Sequence, residues 1–388
     1  MTKIIDQDVL EIEEYLIQTR RHFHENPEAS LKEYETSKFI KKELDTYQIP
    51  YVSVGETGVL ATIEGAEKGK TIFLRADFDA LELEEKKDVP YASKNKGLCH
   101  ACGHDAHTAA LLGAARILQN RKDHLKGTIK LCFQQAEEIG AGARQFVEAG
   151  HLKDVDAAFG IHVASNLSSG TVQLSSGPKS ASCDIFKIHV HGNSSHAARP
   201  HLGNDAALAT ASILVGLQPL ISRQKSPFEP AVISIGKIEA GSRYNVVAEE
   251  GLLEGTLRTL DSELRSDFLK QIEETAALIA KTHGCTAEFE NYNAANVLVN
   301  QENATKYAQK IIAQRIGEEQ LLTEDSPSLG SEDFADFTQI VDAAFLYVGT
   351  SKNEETSVPA HNGAFDIDES QLKLMTQIHV DLVENFHL

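Results

Sequence analysis

The chain predicts an α/β fold with a mainly parallel sheet, interrupted by a smaller α+β domain. Three observations carry this expectation. Apolar runs of strand length alternate with helical stretches up to about residue 162. The pattern changes character near residues 170–178. A helix, a strand and a final helix of the earlier kind return after residue 300. At 388 residues, two domains are also what length favours.

Residues 6–24 and 30–47 carry amphipathic periodicity and predict two helices, broken at Asn26-Pro27. The short apolar runs 59–64 and 71–76, separated by Gly65 and Gly69, suit paired strands. Asp105 is placed to N-cap a helix running through Leu118, with Leu111, Ala115 and Leu118 on one face. A strand at 128–133, a helix at 141–149 and a strand at 157–162 follow. Strands at 185–191, 232–238, 251–257 and 287–292, with helices at 206–217 and 264–282, form a compact α+β unit. The expected division is 1–178 with 293–388 for the outer domain and 179–292 for the inserted one. A helix near 301–315, a strand at 344–348 and a helix from Glu369 complete the chain.

The net charge of −20 argues against nucleic acid or an anionic membrane surface as partner. It also means that an anionic substrate needs local cations. Residues 1–6 show no basic stretch leading into an apolar run, so no leader is read there. No segment approaches the roughly 20 apolar residues of a membrane span. Five irregularly spaced cysteines are no disulfide framework, and a reducing cytoplasm fits them.

Cys99-His100-Ala101-Cys102-Gly103-His104-Asp105-Ala106-His107 gathers thiol and imidazole groups at a helix entrance. Such groups suit zinc and neighbouring transition metals. A redox Cys-x-x-Cys and a structural zinc knuckle are the alternatives. The first wants a small thioredoxin-like unit, and the second wants another Cys/His pair, whereas Cys132, Cys183 and Cys285 stand alone. Gln135-Ala136-Glu137-Glu138 follows an apolar strand, where sheet enzymes place active groups. One acid would ligate metal and the other act as base, which requires that the strand has ended. His162, at the end of a strand, and His361, in Pro359-Ala360-His361-Asn362-Gly363, are weak signals singly and gain weight together. In the inserted domain, the small-residue loop at His196, with Asn245 and Arg258, offers groups for a carbonyl or carboxylate. A plain turn and a surface ion pair are the simpler readings.

Taken in order, these segments closely resemble the M20 metallopeptidases, in the amidohydrolase branch of aminoacylase-like, hippurate and indole-acetyl-amino-acid hydrolases. The matching stretches are Arg21-His22-Phe23-His24 with Pro27-Glu28, Arg75 to Leu81, His100 to His107, Gln135 to Glu138, and Gly160-Ile161-His162. Further on come His196 to His201, Asn245-Val246-Val247, Gly255 to Arg258, Gly330 to Phe334, and Pro359-Ala360-His361. The resemblance implies a zinc-exopeptidase-like catalytic domain with an inserted lid and dimerisation domain. It implies two divalent metal ions per subunit, zinc, manganese, cobalt or nickel. By position, Cys102, His104, Glu138, His162 and His361 become ligands and Glu137 the general base. Asp77 and Asp79 become acids supporting the metals, and His196, Asn245 and Arg258 become substrate contacts. His196 is also placed to serve a neighbouring subunit. The implied reaction releases a carboxylic acid and an amino acid from an N-acyl amino acid. A dipeptidase or aminopeptidase, and more remotely a non-catalytic metal-binding protein, are the alternatives. A cytoplasmic homodimer or larger homo-oligomer is expected. Two departures touch the lid: Ser194-Ser195 stands where branch members commonly carry Gly-Gly, and Ala248 replaces a common Pro.

Overall fold

The computed structural model describes residues 5–386, so residues 1–4, on which part of the leader reading rests, lie outside the described residues. The chain forms two compact units. The first comprises Met1–Gly177, Val299–Ser326 and Asp333–Leu388, and the second Pro178–Leu298 with Pro327–Glu332. The return of 327–332 to the second unit has no local sequence signal. It rests on long-range backbone bonds, with Ser328 N donating to the Lys179 carbonyl (2.8 Å) and Ala181 N to that of Gly330 (2.9 Å).

In the first unit, α1 (Gln7–Glu11), α2 (Glu13–Glu25) and α3 (Tyr34–Thr46) precede β1 (Tyr51–Val54), β2 (Gly58–Glu64) and β3 (Glu67–Asp77). Helix α4 (His104–Arg121), β4 (Lys126–Gln134), α5 (Gly142–Glu148), β5 (Ala157–Ser168) and β6 (Val172–Gln173) follow, and β7 (Gly177–Ser180) passes into the second unit. The second unit contains β8 (Cys183–His191), α6 (Ala206–Arg223), β9 (Ala231–Ala240), β10 (Glu250–Thr259), α7 (Ser262–Thr282) and β11 (Thr286–Ala295). The chain closes through β12 (Leu298–Asn300), α8 (Glu302–Ile316), β13 (Leu321–Leu322), α9 (Ala335–Thr338), β14 (Ala343–Ser351) and α10 (Leu372–Glu384).

The large sheet runs β1-β2-β4-β3-β5-β14-β6-β13, with β4, β3, β5 and β14 parallel to one another. The expected pairing of the 59–64 and 71–76 runs is not made, because β4 lies between them. Ile129, Leu131, Cys132 and Phe133 of β4 are all fully buried, and a strand covered on both faces belongs inside a sheet. Parallel order brings the carboxyl ends of β3 and β4 to one edge, where open α/β sheets carry their sites. Asp105 is not the N-cap of α4: Gly103 holds that position and Asp105 lies in the first turn.

In the second unit, an antiparallel sheet of order β11-β8-β10-β9 packs one face against α6 and α7. Phe186, Ile188 and Val190 of β8 meet Ile213 and Leu217 of α6 and Phe268 and Ile272 of α7. Asp205 and Asp261 cap the two helices, each accepting backbone N–H bonds in the first turn. Helix α6 departs from the expectation that no segment approaches a span, because by length and composition it could cross a membrane. Its Ala209, Ile213, Leu217 and Leu220 lie in the core of the unit, whereas Leu208 and Val215 are exposed.

Candidate metal centre

The first unit gathers ligand-type atoms from four segments. Cys102 and His104 lie at the entrance to α4, Glu138 just beyond β4, His162 on β5 and His361 in the irregular stretch before α10. Donor atoms of Cys102, His104 and His162 lie within 4.8 Å of one another, as do those of Cys102, Glu138 and His361. The two triads share the Cys102 sulfur. His162 Nε2 is 3.5 Å from Cys102 Sγ, and His361 Nε2 is 3.5 Å from Glu138 Oε2.

The backbone turns sharply at three of these places, His162 being within the regular strand β5. Gly103 has φ +88°, and a Cβ there would lie 2.3 Å from Val163 Cγ2. Only glycine fits, so Cys102 and His104 converge through a left-handed residue rather than by extended geometry. Ala136 (φ +54°) and His361 (φ +62°) adopt the same uncommon region without being glycine. Such backbone persists only where surroundings enforce it, and it clusters at sites.

At Ala136 the enforcing groups are two buried acids. Glu33 Oε1 accepts the Ala136 N–H at 2.9 Å. Asp79 accepts the N–H of Glu137 at 3.1 Å and that of Glu138 at 3.0 Å, one on each oxygen. The strand has therefore ended, and the two glutamates are freed from opposite-facing geometry. Glu137 Oε2 and Glu138 Oε1 lie 3.9 and 3.8 Å from His104 Nε2.

Hydrogen bonds decide which imidazole nitrogen faces the cluster. His104 Nδ1 is 2.9 Å from the Asp79 carbonyl, and its buried Nε2 has no hydrogen-bond partner. His162 Nδ1 is committed to the Val163 carbonyl at 2.6 Å. His107 also lies among ligand-type atoms, with Asp77 and His104, but both its nitrogens are occupied. Its Nδ1 meets Asp77 Oδ1 at 2.6 Å, and its Nε2 accepts the Val163 N–H at 3.0 Å.

Behind Asp77 lies a buried charged array. Arg75 reaches Asp77 Oδ2 (2.6 Å), Asp333 Oδ1 (3.0 Å) and Gln134 Oε1 (2.9 Å). Asp333 also accepts the N–H groups of Gly142 and Ala143. Burial alone would raise the Asp77 carboxyl, but Arg75, His104 and His107 hold it well below its usual range. Burial opposes charge on His104, yet Asp77, then Cys102 and Asp79, raise its pKa well above the ordinary value. The same negative charge around His104 would attract a divalent cation, which must displace the proton to bind. Burial pushes the Cys102 thiol up and, with His107, pushes His162 down to about 3. A buried imidazole nitrogen without a partner, beside a thiol, two further imidazoles and a carboxylate, fits a d-block divalent cation.

Sequence reasoning missed Glu33 and Gln134, and it gave no role to Arg75 and Asp333 although both fall in the matching stretches. Arg75 and Asp77, charges two apart at the end of the apolar run 72–74, carried a readable signal. Glu33 lies in the charged run 32–35 and carried none.

The expected substrate residues lie in the second unit. The loops around His196 and Asn245 are zipped together, Ala197 N donating to the Asn245 carbonyl (3.1 Å) and Val247 N to that of Ser195 (2.9 Å). His196 is exposed, and its Nδ1 accepts the Ala198 N–H at 3.0 Å. Arg258 is not brought to them. It lies eight residues along β10 from Glu250, roughly 26 Å at about 3.3 Å per residue. Its Nη1 donates to the Leu329 carbonyl at 3.1 Å.

Residues 73–385 match the sequence profile of peptidase family M20/M25/M40. The chain is 40% identical to an N-acetyl-L-cysteine deacetylase of Bacillus subtilis, over 93% of this chain and 85% of that protein. It is 38% identical to thermostable carboxypeptidase 2 of Saccharolobus solfataricus, over 98% of each. Among solved structures it resembles the Bacillus subtilis YXEP protein, a dinuclear metal binding peptidase, with a TM-score of 0.83 and 37% identity. That match covers 97% of this chain and 99% of the other.

Proposed function

The chain belongs to peptidase family M20/M25/M40 and is a metal-dependent hydrolase of amide bonds, and we propose that it cleaves N-acyl amino acids to a carboxylic acid and a free amino acid. The observation that carries this reading is the pair of donor triads sharing Cys102, with a second glutamate beside them. Two divalent cations would be held there, one by Cys102, His104 and His162 and the other by Cys102, Glu138 and His361. When bound, they supply Lewis acidity to the scissile carbonyl and to the attacking water. Glu137 takes the proton of that water and passes it to the leaving amine. Asp79 holds the backbone beneath both glutamates, and Asp77, backed by Arg75, steadies the imidazoles.

Arg258 is suited to the substrate carboxylate, and a local cation answers the acidic surface of the chain. The span along β10 means that one small substrate does not reach both Arg258 and His196 of a single subunit. His196 and Asn245 would then serve the site of a second copy, and exposed Leu208 and Val215 on α6 are apolar surface such a copy would cover. A cytoplasmic enzyme is the reading we favour, since all five cysteines are free, with zinc, manganese, cobalt or nickel as the cation. A peptidase is the second reading, and likeness to a carboxypeptidase supports it. Hydrolysis of N-acetyl, N-benzoyl and indole-acetyl amino acids beside free dipeptides, after chelation and after return of zinc, manganese or cobalt, separates the two. Metal-restored cleavage of acylated compounds alone supports the amidohydrolase. Cleavage of dipeptides alone promotes the peptidase. Silence everywhere with metal bound overturns both.

A further inference from the structure

The stretch that begins Arg20-Arg21-His22-Phe23-His24 has no part in the chemistry above, yet it carries a fully buried cation. Arg20, on α2, meets three carboxylates. Its Nε is 2.8 Å from Asp105 Oδ2, its Nη2 2.8 Å from Asp366 Oδ1 and its Nη1 3.3 Å from Glu369 Oε1. Asp105 directly follows His104, and Asp366 lies five residues beyond His361. One guanidinium therefore bridges the segment that carries Cys102 and His104 to the segment that carries His361.

Neighbouring bonds repeat the connection. His24, one turn along α2, places Nδ1 2.6 Å from Asp105 Oδ2 and Nε2 3.0 Å from Glu85 Oε1. Tyr91 donates to Asp366 at 2.8 Å. His361 N donates to the Ala101 carbonyl, and Lys86 N to that of Gly363, each at 2.8 Å. The His361 segment has no regular structure, and its imidazole is 57% exposed on a left-handed backbone. The local bonds, from Ala364 and Phe365 N–H to Asn362, close only the turn behind it, so the placement of that turn is inherited from these ties. A buried ion pair adds little net stability compared with apolar packing, and its best use is to specify geometry.

We propose that Arg20 is a positioning residue that sets where His361 stands relative to Cys102, and so completes the second metal-holding triad, by locking Asp105 to Asp366. The proposal rests on the ligand reading above. Cys102, His104 and His162 lie on α4, its approach and β5, and the two imidazoles are also bonded to the Asp79 and Val163 carbonyls, so they keep their places without the Asp366 end of the tie. His361 does not, and the second triad is incomplete without it.

The test uses the full-length protein stripped by a chelator and titrated with cobalt(II), followed by calorimetry and by visible absorption. Wild type is expected to show two binding steps. Arg20→Lys keeps the charge but not the three-way fork. Asp366→Asn is isosteric, and it carries the test if Arg20→Lys does not fold. In each, one step is expected to keep its affinity, while the other weakens by about 10–100-fold. His361→Ala is expected to weaken the same step. Two wild-type steps in folded Asp366→Asn protein overturn the proposal, and so does equal weakening of both steps. If wild type takes up no cobalt, or His361→Ala leaves both steps intact, the ligand reading itself is overturned and the proposal falls with it.

Discussion

The two units hold their polar groups in opposite ways. In the first, His104, His107 and His162 each commit a ring nitrogen to a named oxygen, and Asp77, Asp79, Glu33 and Arg75 are buried behind them. In the second, backbone bonds zip the loops at His196 and Asn245, while His196 and Tyr244 face solvent. Groups held this way before substrate arrives need no reorganisation during reaction. Exposed side chains on a fixed backbone can adapt to different ligands. On the function proposed, metal chemistry is thus built into the first fold, and substrate grip would be carried at the surface of the second.

The sharpest way to break this contrast is Glu137→Gln. It should lower kcat by about 10³-fold while two metals per chain are retained, because general-base loss typically costs 10²–10⁴. Turnover within tenfold of wild type would remove Glu137 from the role. Next is Asp79→Asn, which sets an amide donor against one of the two N–H groups at Glu137 and Glu138. Metal affinity measured by chelator competition should fall about 10–100-fold. Unchanged affinity would mean that the loop is held by other groups.

In the second unit, Arg258→Ala should raise KM for acylated amino acids about tenfold with metal content unaltered, the scale of one charge-assisted hydrogen bond. Substrates with an amidated carboxylate should not distinguish the variant from wild type. A metal loss on this substitution would erase the division of labour.

The smallest effect concerns stability alone. His379, on α10, is pushed down to about 3 by burial and by His107. Unfolded, it takes a proton near 6.5, whereas the folded chain keeps it neutral until far lower pH. The unfolded state therefore binds more protons between these values. Stability is fully present above about 6.5 and declines by about 1.4 kcal/mol for each unit below it. Denaturant midpoints of His379→Gln across pH 7 to 5 should show a shallower decline than wild type. Equal slopes would show that His379 titrates alike in both states.

The sequence by itself determined the α/β class and the alternation of elements, because period is a local property. Local chemistry marked Cys102 and His104, whereas Glu138, His162 and His361 were singled out by the ordered resemblance to a known family, and Arg75 with Asp77 left a readable trace. Tertiary structure alone decided that β4 separates β2 from β3, since pairing depends on which strand is covered on both faces. It alone made His107 a braced imidazole and left His104 Nε2 facing the cluster, because lone-pair direction is set by partners such as Asp79 and Val163 from distant segments. It alone placed Glu33 under Ala136 and Arg20 between Asp105 and Asp366, partners 103 and 346 residues apart from their donors or acceptors along the chain. Hydrogen bonds between residues that far apart leave no periodicity in a sequence, and they are what turns a list of donors into an oriented site.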